Sequence, residues 1–386
     1  MALARHGTGP RTAAAALASQ VHPVFMLPPV AASLFGAILA ERFAPGALGL
    51  HATATFFAVY TAHLKDGYVD FHGRGEDDDH PLTEAGCRWA LAGSTLCFAA
   101  VTAAIGVVSG PGTALLTAPM WALGFFHAPQ SDTNPVTTTL GYPFGIALAI
   151  VGGHHAQTGA LAVEALAFGL VFLVVLAGVK IVDDATDYAY DRSIGKRTVA
   201  VVLGVRRARR LAYALLYAGF TLVLVFTVDG VFPPAAPFAA VAFGVVAVVA
   251  TGAGPSVATM LLVRGAYVFL AVLVVAVWFR PLAGTALPDI GVLGPYTYLA
   301  TEVVFGAVAL ALLRRADAVW RAARTVLALY PIAYVWDWYT LSVGVFAIPL
   351  RTGVELVGIP LEEHLFMVVV PALVVGVHET LAELEE

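Results

Sequence analysis

The sequence predicts an all-α integral membrane protein of about twelve spanning helices, on three observations. The chain has 386 residues, 59% of them hydrophobic and 12% charged, which is about half the charged share of an ordinary soluble domain. Its mean hydropathy is +0.83. Apolar stretches of bilayer-spanning length recur from end to end, without the period-two alternation of a membrane barrel. Inside hydrocarbon only helices and closed barrels satisfy their own backbone polar groups, so these stretches read as helices. The net charge is −5, and no nucleic-acid partner is expected.

The predicted spans are 24–41, 48–65, 88–109, 112–128, 137–153, 160–181, 209–228, 232–252, 256–279, 295–313, 325–347 and 360–380. Gly and Pro punctuate the joins at Pro45-Gly46, Gly110-Pro111-Gly112, Pro233-Pro234, Gly254-Pro255 and Gly294-Pro295. The N-terminal stretch has a short alanine run, too brief for a secretory segment, and no cleavage is expected.

Twelve spans put both termini on one side. Seventeen of the 21 Lys and Arg residues then fall on the terminal side, and only Arg42, Arg280 and Arg351 on the other. Positive residues mark cytoplasmic loops, so both termini are expected in the cytoplasm of a multi-pass cell-membrane protein. Arg264 alone falls inside a span, which predicts a partner or a polar cavity. Cys87 and Cys97 have no metal-ligating company in the sequence and read as free thiols.

Two long hydrophilic loops, 66–87 and 182–208, follow the second and sixth spans and share the cytoplasmic face. In the later loop Asp183, Asp187 and Asp191 are spaced by four, which on a continuing helix places all three on one face. Carboxylates that close repel unless a cation neutralises them, and their hard oxygens suit Mg²⁺. Lys196 and Arg197 follow at once, supplying positive charge for a diphosphate. The earlier loop repeats the spacing in Asp66 and Asp70, then continues through Arg74 to the run Glu76 to Asp79. Asp77, Asp78 and Asp79 read as a solvated acidic stretch.

These residues resemble the UbiA-type membrane prenyltransferases over roughly residues 20–280. That family has nine membrane helices and aspartate-rich motifs after the second and sixth. The later motif matches through Asp183, Asp187, Asp191, Lys196 and the tail Thr198 to Gly204. The earlier one departs: Asp66 and Arg74 stand where the family usually has Asn and Asp, and His80-Pro81-Leu82 replaces Arg-Pro-Leu. The resemblance implies Mg²⁺-assisted ionisation of an allylic diphosphate. Asp66, Asp70, Asp183, Asp187 and Asp191 would hold metal, Arg74, Lys196 and Arg197 the diphosphate, and an apolar chamber the carbocation. Tyr142, Phe125 and Phe126 are candidate aromatic walls, stabilising the cation through their ring faces.

Beyond about residue 290 three further spans follow a different pattern. Asp337 lies near the middle of span eleven, and Glu362 and Glu363 open span twelve. Ionisable groups at such depth mark functional sites. Adjacent helical residues point about 100° apart, so one glutamate of the pair is expected to face a pocket. The run Pro360 to Glu363 with Phe366, and more loosely Asp337 with Gly344, resembles the lycopene cyclase domain of the small membrane carotenoid cyclases. That resemblance implies Asp337, Glu362 and Glu363 as proton donors to an alkene. It also implies a homodimer or a partner cyclase subunit, because the family works with two three-helix units and this chain has one.

The expectation is therefore a nine-helix prenyl-diphosphate-binding domain, 1–285, fused to a three-helix cyclase-like domain, 286–386. The function expected is a bifunctional terpene synthase and cyclase acting on a prenyl diphosphate or other isoprenoid within the bilayer. Carotenoid synthesis, by prenyl transfer to lycopene and its cyclisation, is the alternative; quinone or lipid prenylation and transport rank below it.

Overall fold

The computed structural model describes residues 3–40, 43–284 and 290–383; Arg42 of the charge census and the expected domain boundary at 285/286 lie outside them. The helices run α1 Pro10–Ala18, α2 Pro23–Ile38, α3 Pro45–Gly67, α4 Glu84–Val108, α5 Pro111–Phe125, α6 Pro135–Thr158, α7 Val163–Thr186 and α8 Tyr188–Ser193. They continue as α9 Val199–Leu203, α10 Val205–Val228, α11 Pro237–Thr251, α12 Pro255–Trp278, α13 Thr297–Arg315, α14 Val319–Ser342 and α15 Leu361–Glu383. A two-residue antiparallel pair, β1 Glu355–Leu356 and β2 Ile359–Pro360, leads into α15.

Each of the twelve predicted spans coincides with one of these helices. Seven are long and apolar enough to cross a membrane, eight if the bent pair α1 and α2 counts as one span. Helices α5 and α11, at 15 residues each, reach only about 22 Å, short of a hydrocarbon core about 30 Å thick. Proline opens α1, α2, α3, α5, α6, α11 and α12, where its missing N–H costs no helical bond. The Thr83 hydroxyl accepts from Gly86 N–H at 2.9 Å to cap α4, and Asn134 Oδ1 from Val136 N–H at 2.8 Å to cap α6.

Residues 1–283 and 284–386 form two compact units. The first has a core built on α2, α6, α7, α10, α11 and α12, centred on Phe35, Phe168, Phe172, Phe243 and Phe269. Helices α2 and α6 meet backbone to backbone. A Cβ on Gly36 would lie 2.0 Å from the Ile150 carbonyl oxygen, and one on Gly153 2.2 Å from that of Ser33; such small-residue seams bring membrane helices close. In the second unit α15 packs against both α13 and α14.

Arg264 points outward from α12, exposed, and forms no ion pair among the described residues. The partner expected for it is absent there; its long stem instead carries the charge away from the helix.

Candidate functional site

A cavity of about 470 Å³ lies inside the first unit. Its wall is apolar, with Met120, Ile146, Phe172, Leu176 and Leu270, and two tyrosines join it, Tyr142 and Tyr267. The Tyr142 hydroxyl donates to Phe25 O at 3.4 Å and that of Tyr267 to Val24 O, which anchors both rings on the first turn of α2. Asp66, Lys180, Asp183 and His127 also line the cavity, together with His22 and His63.

The polar groups come from three loops. Asp66 ends α3, and His127 Nε2 stands 3.7 Å from its Oδ2; Asp132, Lys196 and Lys180 act on it electrostatically. The chain then winds as a wide π-turn, Tyr68–Arg74, stopped by Gly75 in the left-handed region at φ 66°. Asp70 and Arg74 leave this turn 3.4 Å apart. Burial chiefly, then the charges of Asp66 and Glu76, pushes the Asp70 carboxyl from an ordinary 3.8 up to about 7.

Helix α7 brings Lys180 and Asp183. The Lys180 ammonium lies 3.2 Å from Asp183 Oδ2 and 2.6 Å from Asp184 Oδ1, and Asp184 is buried. At Asp187 the helix breaks, with φ −98° and ψ 16°, before α8 begins. The continuous helix expected through Asp183, Asp187 and Asp191 is therefore corrected. Asp183 reaches the cavity, Asp187 is exposed, and Asp191 is buried 3.6 Å from Lys196. Thr and Asp compete for backbone groups, and such residues favour ends over helix interiors. Burial pushes the Asp191 carboxyl upward, with Lys196 pulling the other way.

Asp132 of the α5–α6 loop ties the two acid loops together. Its Oδ2 accepts from Arg74 Nη2 at 2.5 Å, and its carbonyl accepts from Arg197 N–H at 2.8 Å. Glu76 of the earlier loop acts electrostatically on Tyr190 of α8, in the later one. Asp184 Oδ2 and Asp191 Oδ2 are enclosed without a hydrogen-bond partner among the described residues. Unpaired carboxylate oxygens among hard donors fit Mg²⁺.

A family match covers residues 12–253 and describes the UbiA prenyltransferase family. The chain belongs to the UbiA prenyltransferase family. Solved structures share its fold. A structure described for digeranylgeranylglyceryl phosphate synthase in membranes has a TM-score of 0.56 at 12% identity, over 69% of this chain and 99% of that one. An apo UbiA homologue from Aeropyrum pernix K1 scores 0.54 at 16% identity, over 68% and 99%. An Archaeoglobus fulgidus UbiA homologue bound to GPP and Mg²⁺ scores 0.54 at 15% identity, over 69% and 99%. No curated protein matches the chain. The family match ends well before the second unit.

Within this UbiA unit, sequence reasoning named Asp66, Asp70, Arg74, Asp183 and Asp191, which the fold gathers around the cavity and the loops at its end. Arg197 contributes its backbone to Asp132, and its side chain is exposed. Lys180, Asp132, Asp184 and the histidines of the cavity were missed. Of the aromatic candidates Tyr142 lines the cavity, whereas Phe125 does not: it stacks on Trp121 beneath the Lys65 ammonium. Phe126 is exposed. Of the acidic run Asp77 and Asp78 are exposed, and Asp79 pairs at the surface with Arg5 and His6.

The reading of Cys87 as a thiol without ligand-type neighbours is also corrected. It is free, but the π-turn and the following loop bring His72 and His80 to it.

The second unit gathers acids from three helices. Asp337 of α14 and Glu302 of α13 both act electrostatically on Glu363 of α15. All three are buried, and Glu302 Oε2 has no hydrogen-bond partner among the described residues. Glu362 turns elsewhere: the Thr352 N–H and hydroxyl both donate to its Oε1 at 2.6 Å. The pair thus divides as adjacent helical positions must, and Glu302 is the member the sequence did not flag.

Proposed function

We propose that this UbiA-family membrane prenyltransferase is a bifunctional isoprenoid enzyme that ionises a prenyl diphosphate in the first unit and protonates an isoprenoid alkene in the second. The observation that carries the first half is the cavity itself. One set of its lining residues carries Asp66, Asp183, Lys180 and three histidines, and the rest is chiefly hydrocarbon and aromatic, the pairing that a charged head and a prenyl tail require.

Asp66, Asp70, Asp183, Asp187 and Asp191 are the residues that would hold Mg²⁺, which when bound neutralises charge on the diphosphate oxygens. Lys180, Lys196, Arg197 and Arg74 bind the head and fix its orientation. As the C–O bond breaks, its electron pair leaves with the diphosphate and an allylic carbocation remains in the apolar chamber. The chamber wall excludes water, and the ring faces of Tyr142, Tyr267 and Phe172 attract the cation. A double bond of the same chain, or of an acceptor, then attacks it. The Archaeoglobus homologue's GPP and Mg²⁺ support this ligand class here.

In the second unit Glu363 and Asp337 are buried carboxyl groups that act on one another with no ion-pair partner among the described residues, and one of them carries a proton in this reading. That proton passes to an alkene carbon, a double bond closes the ring on the resulting cation, and loss of a proton to the carboxylate restores the acid. Glu363 and Asp337 are the proposed donors, and Glu362 holds the turn at Thr352. The charge census supports cytoplasmic termini and cytoplasmic aspartate loops.

The test is incubation of purified protein with prenyl diphosphates of increasing length, with and without Mg²⁺, products being read by mass spectrometry. Cyclic hydrocarbons or alcohols formed without an acceptor are expected. Turnover only when lycopene is supplied would replace this reading with the carotenoid one.

A further inference from the structure

We propose that His72, His80 and Cys87 form a binding site for a thiophilic divalent cation of the zinc class, built from donors other than those of the Mg²⁺–diphosphate site. A thiol and two imidazoles each offer a donor atom, and the three atoms lie within 4.8 Å of one another. Among the described residues this is the one such group of His, Cys, Asp and Glu. Its donors are nitrogen and sulfur, whereas the diphosphate site offers carboxylate oxygen. Borderline-soft Zn²⁺ takes the former and hard Mg²⁺ the latter.

The surroundings are those of a ligand set. Cys87 is fully buried and His80 is 4% exposed. Cys87 Sγ stands 3.8 Å from His80 Nδ1. A tetrahedral zinc centre separates its nitrogen and sulfur donors by about 3.3–3.6 Å, so closing the set requires shifts of about 1 Å. His80 Nδ1 faces both the N–H and the C=O of Leu82, each at 3.2 Å. His80 Nε2 is enclosed and has no hydrogen-bond partner among the described residues. Nδ1 is the ring nitrogen beside Cys87, so a metal there takes its lone pair in place of the Leu82 N–H, and Nε2 then carries the ring's proton. His72 Nε2 lies 3.3 Å from the same Leu82 carbonyl oxygen, which stands beside the set where a water or that oxygen completes four-coordination.

Binding displaces the Cys87 proton to solvent and leaves a thiolate on the metal, the two imidazoles donating lone pairs without ionising. The consequence is mechanical. His72 sits between Asp70 and Arg74 on the π-turn, while Cys87 is in the first turn of α4. A bound ion clamps the turn that presents the first acid loop to the start of the next helix. The departure His80-Pro81-Leu82 falls inside the clamp.

The experiment uses the full chain purified in detergent without a histidine tag, loaded with Zn²⁺ or Co²⁺ and dialysed. One equivalent of zinc per chain is expected by elemental analysis. Co²⁺ is expected to give thiolate charge-transfer absorption that Zn²⁺ abolishes. Cys87→Ser and His72→Ala should lose the metal, while Cys97→Ser, a change at the exposed cysteine, should keep it. Less than a tenth of an equivalent on the unaltered chain, or full loading of Cys87→Ser, overturns the proposal. The Co²⁺ spectrum of the unaltered chain decides the matter even if a variant fails to fold.

Discussion

In the first unit the site carboxylates other than the exposed Asp187 stand beside a basic group, Asp184 and Asp183 with Lys180, Asp191 with Lys196, Asp70 with Arg74, Asp66 with His127. In the second, Glu302, Asp337 and Glu363 stand with one another and none forms an ion pair among the described residues. Removing one partner from a buried charge pair leaves an uncompensated ion, so on the proposed reading the first arrangement suits acids that share their charge with cations. Close carboxyls without a counter-charge repel one another when ionised, so on the proposed reading the second suits a proton donor. On the proposed reading the same residue types serve opposite ends, holding an anion through metal in one unit and donating a proton in the other.

Exchanging the losses is the most severe way to break this contrast. Asp183→Asn should cut Mg²⁺-dependent release of diphosphate by about 100-fold or more, since even outer-shell changes at metal sites cost about 10–100-fold. Proton-initiated ring closure of an isoprenoid lacking a diphosphate should be untouched. Glu363→Gln should do the reverse, losing about 100-fold or more in ring closure, the range of a general acid. Phosphate release and product mass spectra measure the two in parallel. Equal losses from both variants would show a single site rather than two.

A smaller effect sharpens the account of the first unit. Asp132→Ala removes the acceptor of Arg74 and leaves the guanidinium with Asp70 and Glu76 alone. Losing a hydrogen bond to a charged group costs about 1.5–3 kcal/mol of stability. With the α5–α6 loop no longer tying the acid loops, KM for the diphosphate should rise about tenfold, for the same reason that positioning groups outside the chemistry matter. A melting curve and a KM determination test both, and an unchanged KM would reduce Asp132 to a structural tie.

Much of this was legible because hydropathy and the spacing of Asp183, Asp187 and Asp191 are local signals. All twelve predicted spans coincide with helices, and the acids of the loops after the second and sixth spans meet at one end of the first unit. His127 lies at the end of the fourth span and Asp132 just after it, an end the same topology puts on that face, so this short polar stretch was a signal left unread. Lys180 was hidden differently, as one cation at the end of an apolar span, marked only by its spacing of three and four from Asp183 and Asp184. Glu302 had no neighbour in sequence to flag it, since its partners sit on two other helices. The break at Asp187 depended on competition between backbone and side-chain hydrogen bonds, which spacing alone does not report.

The mildest test concerns Asp70, which lies outside the spans on the π-turn. Its carboxyl is raised from an ordinary 3.8 to about 7, by burial first and then by Asp66 and Glu76, with Arg74 opposing. A raised acid is harder to ionise in the folded chain than in the unfolded one. Below about pH 4 both states hold the proton and Asp70 costs nothing; between about pH 4 and 7 the unfolded state ionises first, and metal-free stability falls. Above about pH 7 both are ionised and the cost stays constant. Bound Mg²⁺ needs the carboxylate, so proton and metal compete. Mg²⁺ affinity should climb towards about tenfold per pH unit below about pH 7 and level off above it, with one proton released on binding at low pH. Asp70→Asn should bind Mg²⁺ more weakly, with that slope removed. Titration calorimetry in buffers of different ionisation heat measures affinity and proton release together. A slope that survives in Asp70→Asn would transfer the titration to another acid of the cluster, with Asp191, also raised by burial, the next to replace.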